Sequence, residues 1–311
     1  MAITAQQVKE LRELTDCGIM DCKKALTEAD GDIEKAKAWL REKGMAKAEK
    51  KSTRVAAEGL VASFISDDGK TGSLVEVNVE TDFAANTDKF KNFVNEVGAQ
   101  IMATKAADIE ALKASAMYND ASKTVEIFTK EAIADISENV SIRRFATYEA
   151  ANGAVSSYIH AGGKVGVLVE FALGDASVAS SEAFKTLAKN IGMQIAASAP
   201  SWVAESDVPQ SEIDKEVEII TNKALEEGKP EKIIADRIVP GQIKNFYKLN
   251  VLEAQEYVKD DSLTVAQYIA SAAKELGTEV SVVRFTNYKL GEGIEKKEDD
   301  FAAEVMKQAG L

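Results

Sequence analysis

The sequence predicts an α+β protein built from four parts. These are a three-helix module, a duplicated core of β-hairpin, helix and strand with antiparallel sheets, an inserted helical coiled-coil arm, and a helical C-terminal tail. Three observations lead to this prediction. Apolar residues recur at helical spacing before Gly44, one long stretch is repeated further along the chain, and a four-three spacing of apolar residues interrupts its second copy.

Composition places the chain among folded globular proteins and disfavours several functions. Its 311 residues are 45% apolar and 29% charged. The net charge of −13 repels phosphate backbones, which disfavours general nucleic-acid binding. The N-terminal stretch holds no signal-peptide apolar core, so we expect a cytoplasmic protein. Cys17 and Cys22 have no histidine or further cysteine beside them, which favours reduced thiols over a zinc site or a disulfide framework.

The segment 4–44 is predicted to form three short helices that pack on each other. Thr4 and Gln7 have the spacing of a capping box at the start of the first helix. A polar, basic linker is expected at 45–54. The residues that separate or end the helices are Gly18, Asp30-Gly31-Asp32 and Gly44. The predicted inward faces are Val8, Leu11 and Leu14, then Ile19, Cys22, Ala25, Leu26 and Ala29, then Ile33, Ala36 and Leu40.

An internal repeat covers most of the remaining chain. GLVASFISDDGKTGSLVEV begins at Gly59, and GAVSSYIHAGGKVGVLVEF begins at Gly153, 94 residues later and without a gap. Each copy predicts a strand, a glycine-containing turn and a second strand, which together make a β-hairpin. The residues that recur are Gly59, Val61, Ser63, Ile65, Gly69, Lys70, Gly72, Leu74, Val75 and Glu76.

The repeat continues into a helix and a closing strand. The helical faces are Phe90, Phe93, Val94, Val97 and Ile101 in the first copy and Phe184, Leu187, Ala188, Ile191 and Ile195 in the second. Gly98-x-Gln100-Ile101 is also matched by Gly192-x-Gln194-Ile195. The closing strand NVSIRRFATYE (139–149) recurs as EVSVVRFTNYK (279–289), but 140 residues later. The second copy is therefore 46 residues longer, since 140 exceeds 94 by that amount.

The extra residues are assigned to an arm at about 208–254. Ile213, Val217, Ile220 and Ala224 have the four-three-four spacing of a coiled-coil seam. A turn at Gly228-Lys229-Pro230 and apolar residues at Ile234 and Ile238 predict a returning helix, which Pro240-Gly241 is expected to interrupt. The pattern predicts a protruding antiparallel helical arm.

These features give four predicted domains. They are 1–54 for the three-helix module and linker, 55–151 for the first core half, 152–290 for the second half with its arm, and 291–311 for a C-terminal module. In the last, Phe301, Val305 and Met306 suggest an amphipathic helix.

The connection ETDFAAN (80–86) differs between the two copies. Thr81-Asp82-Phe83 aligns with Asp175-Ala176-Ser177, so the shared scaffold does not require an aromatic residue here. Connections often carry function on rigid scaffolds. From the residues alone, packing of Phe83 against the core of its own helix is favoured, because scattered aromatic residues usually pack.

Four blocks, in order along nearly the whole chain, resemble the bacterial elongation factor Ts family. They are LRELTDCGIMDCKKALTEADGDIEKA (11–36), VEVNVETDFAANTDKF (75–90), SYIHAGGKVGVLVE (157–170) and GEGIEKKEDDFAAEV (291–305). The three-helix module is also UBA-like, that is, it resembles ubiquitin-associated domains. Together the blocks are far more specific than any one of them.

The resemblance implies a non-enzymatic guanine-nucleotide exchange factor for elongation factor Tu, in its GDP-bound and nucleotide-free states. It implies that Thr81-Asp82-Phe83, with Ala84 following, inserts into this GTPase and helps to dislodge Mg²⁺. The helical module and first core half would engage the GTPase domain, and the second half another domain of the partner. Family members commonly carry a larger aliphatic residue at the position of Ala84 and a basic residue at that of Asn86.

The resemblance also points to weaker partner contacts. Lys23, Lys51 and His160 match family positions near the partner, although a solvated lysine and a solvated turn histidine are the plainer alternatives. Asp82 has three candidate roles of similar weight: ordering the connection, contacting the partner, and capping the helix that follows.

Two other classes of protein are weighed against this one. An enzyme is disfavoured because the sole histidine, His160, has no nucleophile motif around it, and no Walker-type loop or strand-bound G-x-G-x-x-G is present. Accordingly no cofactor, bound metal, nucleic acid or membrane is expected as a partner. A general adaptor would explain the helical module and the arm, but it would leave the matched core blocks as coincidence.

Overall fold

The computed structural model describes residues 3–15 and 17–295. The predicted tail residues Phe301, Val305 and Met306, and most of the predicted module 291–311, lie outside this range. The described helices are α1 Ala5–Thr15, α2 Ile19–Glu28, α3 Ile33–Lys51, α4 Asp82–Ala85, α5 Asp88–Thr104, α6 Ile109–Ala114, α7 Val125–Ile136, α8 Glu182–Ser198, α9 Gln210–Glu226, α10 Glu231–Ile233, α11 Val239–Asn250 and α12 Val265–Leu276.

The described strands form two three-stranded sheets and two small hairpins. The sheet orders are β1-β2-β5 and β10-β7-β6, and the hairpins are β3-β4 and β8-β9. Mixed helix and antiparallel sheet confirm the predicted α+β class. The strand bounds are β1 Glu58–Ile65, β2 Thr71–Val79, β3 Ala116–Met117, β4 Asp120–Thr124, β5 Val140–Glu149, β6 Gly153–His160, β7 Val165–Leu173, β8 Glu256–Tyr257, β9 Asp260–Thr264 and β10 Val280–Lys289.

Contact density divides the chain into two compact units. Of the described residues, the first unit contains 3–15, 17–60, 75–145 and 290–295, and the second contains 61–74 and 146–289. The first unit contains the helical module and most of the first repeat copy. The second contains the second copy and its arm. The domain limits proposed from the sequence stay predictions.

The N-terminal module has the three predicted helices and the predicted capping box. Gln7 N donates to Thr4 Oγ1 (3.2 Å), and Thr4 N donates to Gln7 Oε1 (3.0 Å). The small core of the module is made by Leu11, Cys22, Ala25, Leu26, Ala29, Ala36 and Leu40. Each helix therefore buries one apolar stripe against the other two.

The predicted end of the third helix is wrong, because α3 runs through Gly44 and the expected linker as far as Lys51. MAKAEKK contains strong helix formers, which offset the cost of about 1 kcal/mol for a glycine within a helix. Tertiary packing adds to this, since Ala48 is buried and a Cβ at Gly44 would lie 3.2 Å from Ala134 of α7. The linker composition was a poor guide here.

The duplicated core has the predicted hairpins, helices and closing strands. The apolar faces predicted for α5 and α8 are buried throughout. The recurring glycines have a steric reason, since a Cβ at Gly59 would lie 2.1 Å from Val77 O, and one at Gly153 would lie 1.8 Å from Phe171 O. Each hairpin therefore begins where only a glycine fits.

The repeat extends further than the sequence comparison showed. The short hairpin β3-β4 and helix α7 recur in the second copy as β8-β9 and α12. Gln100 on α5 explains one shared residue, because its Nε2 donates to Ala116 O (2.8 Å) and its Oε1 accepts from Tyr118 N (2.6 Å). Gln194 on α8 makes the equivalent two bonds to the backbone at and after β8. A buried glutamine thus ties the small hairpin to the helix in each copy.

The recurring glutamate anchors the closing strand. Glu76 is fully buried and binds Arg143 (2.9 Å) and Arg144 (2.6 Å) of β5. In the second copy Glu170 binds Arg284 of β10 (2.7 Å). The first copy adds a bond from Gly291 N to Glu76 Oε1 (2.8 Å). The segment that follows β10 is therefore attached to a buried carboxylate of the first unit.

In the arm, α9 contacts α11, and the returning helix is not interrupted at Pro240-Gly241 as the sequence predicted. Helical structure continues from α10 through a π-helical segment, Ile234–Ile238, into α11. Proline lacks an N–H and its ring crowds the carbonyl four residues earlier. A π-helical turn directly before α11 changes the hydrogen-bond register and accommodates Pro240 near its start.

Candidate functional site

The candidate site is the connection between β2 and α5. It contains the one-turn helix α4, and the side chain that caps this helix is Thr81, whose Oγ1 accepts from Ala84 N (3.2 Å). Asp82 is exposed in the first turn. Of the three roles considered for Asp82, capping is therefore taken by its neighbour.

Phe83 points away from the fold. Its side chain is 83% exposed, the highest value for a large apolar residue in the part of the chain that the structure describes. Ala84 and Ala85 are 7% and 5% exposed, so α4 turns its alanines inward and its phenylalanine outward. The alternative that Phe83 packs against the core is wrong for this structure.

Side-chain hydrogen bonds hold α4 at its end as well as at its start. Asn86 Nδ2 donates to Asp82 O (2.8 Å), and Thr87 Oγ1 donates to Ala84 O (2.7 Å). Thr87 Oγ1 also accepts from Phe90 N (3.3 Å) as the cap of α5. The exposed ring is therefore carried by a turn with defined geometry.

Two carboxylates fix the base of the connection. Glu138, between α7 and β5, accepts from Thr81 N (2.9 Å) and Thr81 Oγ1 (2.8 Å). Glu80 accepts from Asn139 N (2.6 Å) and lies 3.4 Å from the Arg54 guanidinium. We call Glu80, Thr81, Glu138 and Asn139 the carboxylate clamp. It joins the chain before α4 to the chain before β5.

Lys51 lies beside this clamp. Its Nζ donates to the backbone oxygen of Ser137, the residue before Glu138. Burial, together with the charge of Arg54, lowers the pKa of the Lys51 ammonium below its ordinary value. Lys51 thus binds the segment that holds Thr81, and its contact with a partner stays a prediction.

The other two predicted residues lie in separate parts of the chain. Lys23 is exposed on α2 of the helical module. His160 is exposed at the end of β6 in the second unit, where its Nδ1 lies 3.1 Å from Tyr158 Oη. Thr81, Asp82, Phe83 and Ala84 lie in one connection, and Lys51 binds the segment 137–138 that also binds Thr81. Lys23 belongs to another element of the first unit.

The helical module exposes three large apolar residues near Gly18, which the helical periodicity did not predict. Leu14 and Ile19 were expected to face inward, but they are 57% and 55% exposed, and Met20 is 74% exposed. A core of three short helices buries one apolar stripe of each helix. Leu11, Cys22 and Leu26 already occupy this core, which leaves Leu14 and Ile19 outside it. The exposed residues flank Gly18, at the junction of α1 and α2. The sequence signal that could have predicted this exposure is the apolar pair Ile19-Met20 directly after the helix break at Gly18.

Within 3–15 and 17–295, no helix is long and apolar enough to cross a membrane. The same part of the chain holds no group of three or more His, Cys, Asp or Glu side chains placed to bind a metal ion.

Comparison with known proteins matches both the connection and the whole chain. The family model described as elongation factor TS matches residues 80–292, a range that begins at Glu80 of the clamp. The protein named elongation factor Ts from Trichlorobacter lovleyi is 51% identical over 311 residues and is covered completely, as is this chain. The chain belongs to the elongation factor Ts family.

Further members of the elongation factor Ts family match over nearly their full length. The protein of that name from Clostridium kluyveri is 48% identical over 306 residues, with 98% of each chain covered. The one from Clostridium perfringens is 46% identical over 308 residues, with 99% of each covered. Membership of the elongation factor Ts family makes this chain a translation elongation factor, with a role in protein biosynthesis.

Proposed function

We propose that this chain is a guanine-nucleotide exchange factor that acts on elongation factor Tu in the cytoplasm. It binds the GDP-bound GTPase, inserts the Thr81-Asp82-Phe83 connection, and disturbs the coordination of Mg²⁺ and phosphate. GDP then leaves and GTP takes its place. The observation that supports this proposal most directly is the 83% exposure of Phe83 on an ordered turn. An exposed, well-held apolar ring is suited to entering a partner.

The ring acts by displacement and needs no chemical step of its own. GDP is held in a GTPase by phosphate contacts and by Mg²⁺, which offsets the diphosphate charge. An inserted phenyl group displaces protein elements that support the ion, so the nucleotide binds less tightly. No bond of the nucleotide is made or broken, and the chain is therefore not an enzyme.

Exchange follows from thermodynamic linkage. If the factor weakens GDP binding, GDP weakens binding of the factor to the same extent. A coupling of about 3 kcal/mol corresponds to roughly a 150-fold change in affinity. Burial of one phenylalanine side chain contributes about 1.5–3 kcal/mol. One ring therefore supplies a sizeable share of the required free energy, and further contacts supply the rest.

The helical module is a source of such contacts. Its exposed apolar residues Leu14, Ile19 and Met20 are available for burial against a protein partner. Lys23 lies on the same helix as Met20 and adds a charged contact. His160 of the second unit would meet a different part of elongation factor Tu. Ala84 is buried, and in this proposal it supports the turn that carries Phe83.

Stopped-flow release of a fluorescent GDP from elongation factor Tu tests the proposal. Wild-type chain should accelerate release, and Phe83→Ala should lower the saturating rate roughly tenfold or more, because the displaced contacts are then retained. Tyr118→Ala is the matched control, since Tyr118 is a half-exposed aromatic residue elsewhere in the first unit. It should behave like wild type.

Three results decide between the alternatives. Equal acceleration by wild type and Phe83→Ala would remove Phe83 from the mechanism but keep the exchange function. No acceleration by wild type would refute exchange. In that case, binding to elongation factor Tu that ignores GDP and Mg²⁺ would favour an adaptor.

A further inference from the structure

We infer that Glu138 is a positioning residue for nucleotide exchange, which acts through Thr81 to hold Phe83 in its outward orientation. The inference rests on the proposed exchange function and assigns a role to a residue outside the connection itself. Glu138 lies 57 positions from Thr81 in sequence. Only the fold brings the two together.

The carboxylate clamp is reciprocal. Glu138 accepts the backbone N–H of Thr81, and Glu80 accepts the backbone N–H of Asn139, so each segment supplies a carboxylate to the other. Hydrogen bonds from N–H groups to a carboxylate are shorter and stronger than neutral ones. The start of the connection is therefore fixed from two directions.

One hydroxyl group links the clamp to the turn that carries Phe83. Thr81 Oγ1 donates to Glu138 Oε1 (2.8 Å) and accepts from Ala84 N (3.2 Å). The donated bond orients the hydroxyl so that a lone pair remains for Ala84 N. Glu138 thus orders Thr81, and Thr81 orders the single turn of α4.

Comparison with the second repeat copy distinguishes the hydrogen bonds that both copies make from those that only the first copy makes. At the equivalent position Asp175 N donates to the neutral Thr278 Oγ1 (2.8 Å), so the backbone contact is common to both copies. The Asp175 side chain is used locally, as it accepts from Ser177 N (2.9 Å). The hydroxyl–carboxylate bond is found only in the copy whose turn carries an exposed aromatic ring.

Cationic and polar groups near the carboxylate clamp offset the repulsion between its two carboxylates. Arg54 approaches Glu80, and Lys51 binds the carbonyl next to Glu138. Asn139 Nδ2 donates to Arg54 O (2.7 Å) and Ser52 O (3.3 Å), which ties the end of α3 to the same segment. A turn ordered in the free protein loses less conformational entropy when its ring enters a partner.

A double-mutant cycle tests the inference. Glu138→Ala should lower the saturating rate of GDP release roughly tenfold, with a much smaller change in the half-saturating concentration. In the Phe83→Ala background Glu138→Ala should have almost no further effect, because the two residues act in series. Glu138→Gln should be intermediate, since its amide oxygen still accepts from Thr81 N but its NH₂ cannot accept the hydroxyl proton.

Thr278→Val is the matched control in the second copy. It removes the equivalent backbone contact and should leave both kinetic parameters unchanged. The inference is overturned if Glu138→Ala gives the wild-type saturating rate of GDP release, or if Thr278→Val lowers that rate as much as Glu138→Ala does. It is also overturned if Glu138→Ala lowers the rate by the same factor in the Phe83→Ala background as in the wild-type background.

Hydrogen exchange of the free chain gives a second, independent measurement. Glu138→Ala should increase amide exchange in the peptide that contains residues 80–87, while peptides from α5 and α8 keep wild-type protection. If Glu138→Ala leaves the hydrogen-exchange protection of residues 80–87 unchanged, the inference is overturned, even if the chain promotes nucleotide exchange. If the wild-type chain does not accelerate GDP release from elongation factor Tu, the proposed function is refuted instead, and the hydrogen exchange result still decides whether Glu138 orders the turn.

Discussion

At the scale of single residues, two neighbouring phenylalanines have opposite environments. Phe83 is exposed, whereas Phe90, seven positions later, is fully buried on α5. Helical periodicity predicted the burial of Phe90 and its partners from the residues alone. Nothing in the residues predicted the exposure of Phe83, because aromatic side chains in connections usually pack. The resemblance to a known family singled it out, and the structure then showed its outward orientation.

This difference gives a prediction about stability. Phe83→Ala should change the free energy of unfolding by less than about 0.5 kcal/mol, as is usual for surface substitutions. Phe90→Ala should cost about 3–5 kcal/mol, because it removes a buried ring and leaves a cavity. Urea denaturation followed by circular dichroism measures both values. A large loss for Phe83→Ala would mean that its ring contributes to the core after all.

At the scale of elements, the repeat was the best guide to the fold. Both hairpins, both apolar helix faces and both closing strands are where the sequence placed them. The hairpin β3-β4 and its counterpart were missed, because the first strand of each, β3 and β8, is two residues long and carries too little alternation to detect. The helical extension to Lys51 and the helix through Pro240 were also missed, since tertiary packing and a π-helical turn override local signals.

The anchor of β5 predicts a dependence of stability on pH. Burial raises the pKa of the Glu76 carboxyl, but bonds from Gly291 N–H and from Arg143 and Arg144 outweigh it and hold that pKa below its ordinary value. The resulting stabilisation is present above the ordinary glutamate pKa of about 4.3, and it is lost as the pH falls through the lower folded value.

Glu76→Gln makes this dependence measurable. The variant does not titrate at position 76, so its deficit in unfolding free energy relative to wild type should be largest near pH 7 and shrink below about pH 4. Urea denaturation at several pH values measures the deficit. Glu170→Gln is the parallel variant at the recurring position of the second copy. A Glu76→Gln deficit that stays constant from neutral to acidic pH contradicts the prediction.

At the scale of the whole molecule, the arm is an insertion whose two ends meet. Ser201 N donates to Asn250 O (2.8 Å), and Leu252 N donates to Trp202 O (2.8 Å). The difference in repeat spacing indicates an insertion in this part of the second copy, and its bounds at about 208–254 stay a prediction. Repeat spacing does not fix the bounds of the four predicted domains. The first hairpin shows why, because most of β1 belongs to one compact unit and most of β2 to the other.

Removal of the arm should therefore leave the rest of the chain folded. We expect a chain that lacks residues 205–248, closed by a short glycine-serine linker, to unfold cooperatively within roughly 5 °C of wild type, because short loops add little closure entropy. Differential scanning calorimetry measures this. Loss of a cooperative transition would show that the arm is part of the folding unit.

The duplication also bears on how the chain avoids misfolding. β2 and β7 are similar strands in one polypeptide, and during folding either is a potential partner for the wrong closing strand. Gly174, after β7, leaves no room for a side chain, because a Cβ there would lie 2.7 Å from Thr278 Oγ1. The equivalent residue after β2 is Glu80, whose carboxylate requires the space and donors near Asn139. A swapped pairing would place the Glu80 side chain where even a Cβ lies only 2.7 Å from Thr278 Oγ1, so this difference between the copies disfavours an exchange of the two strands.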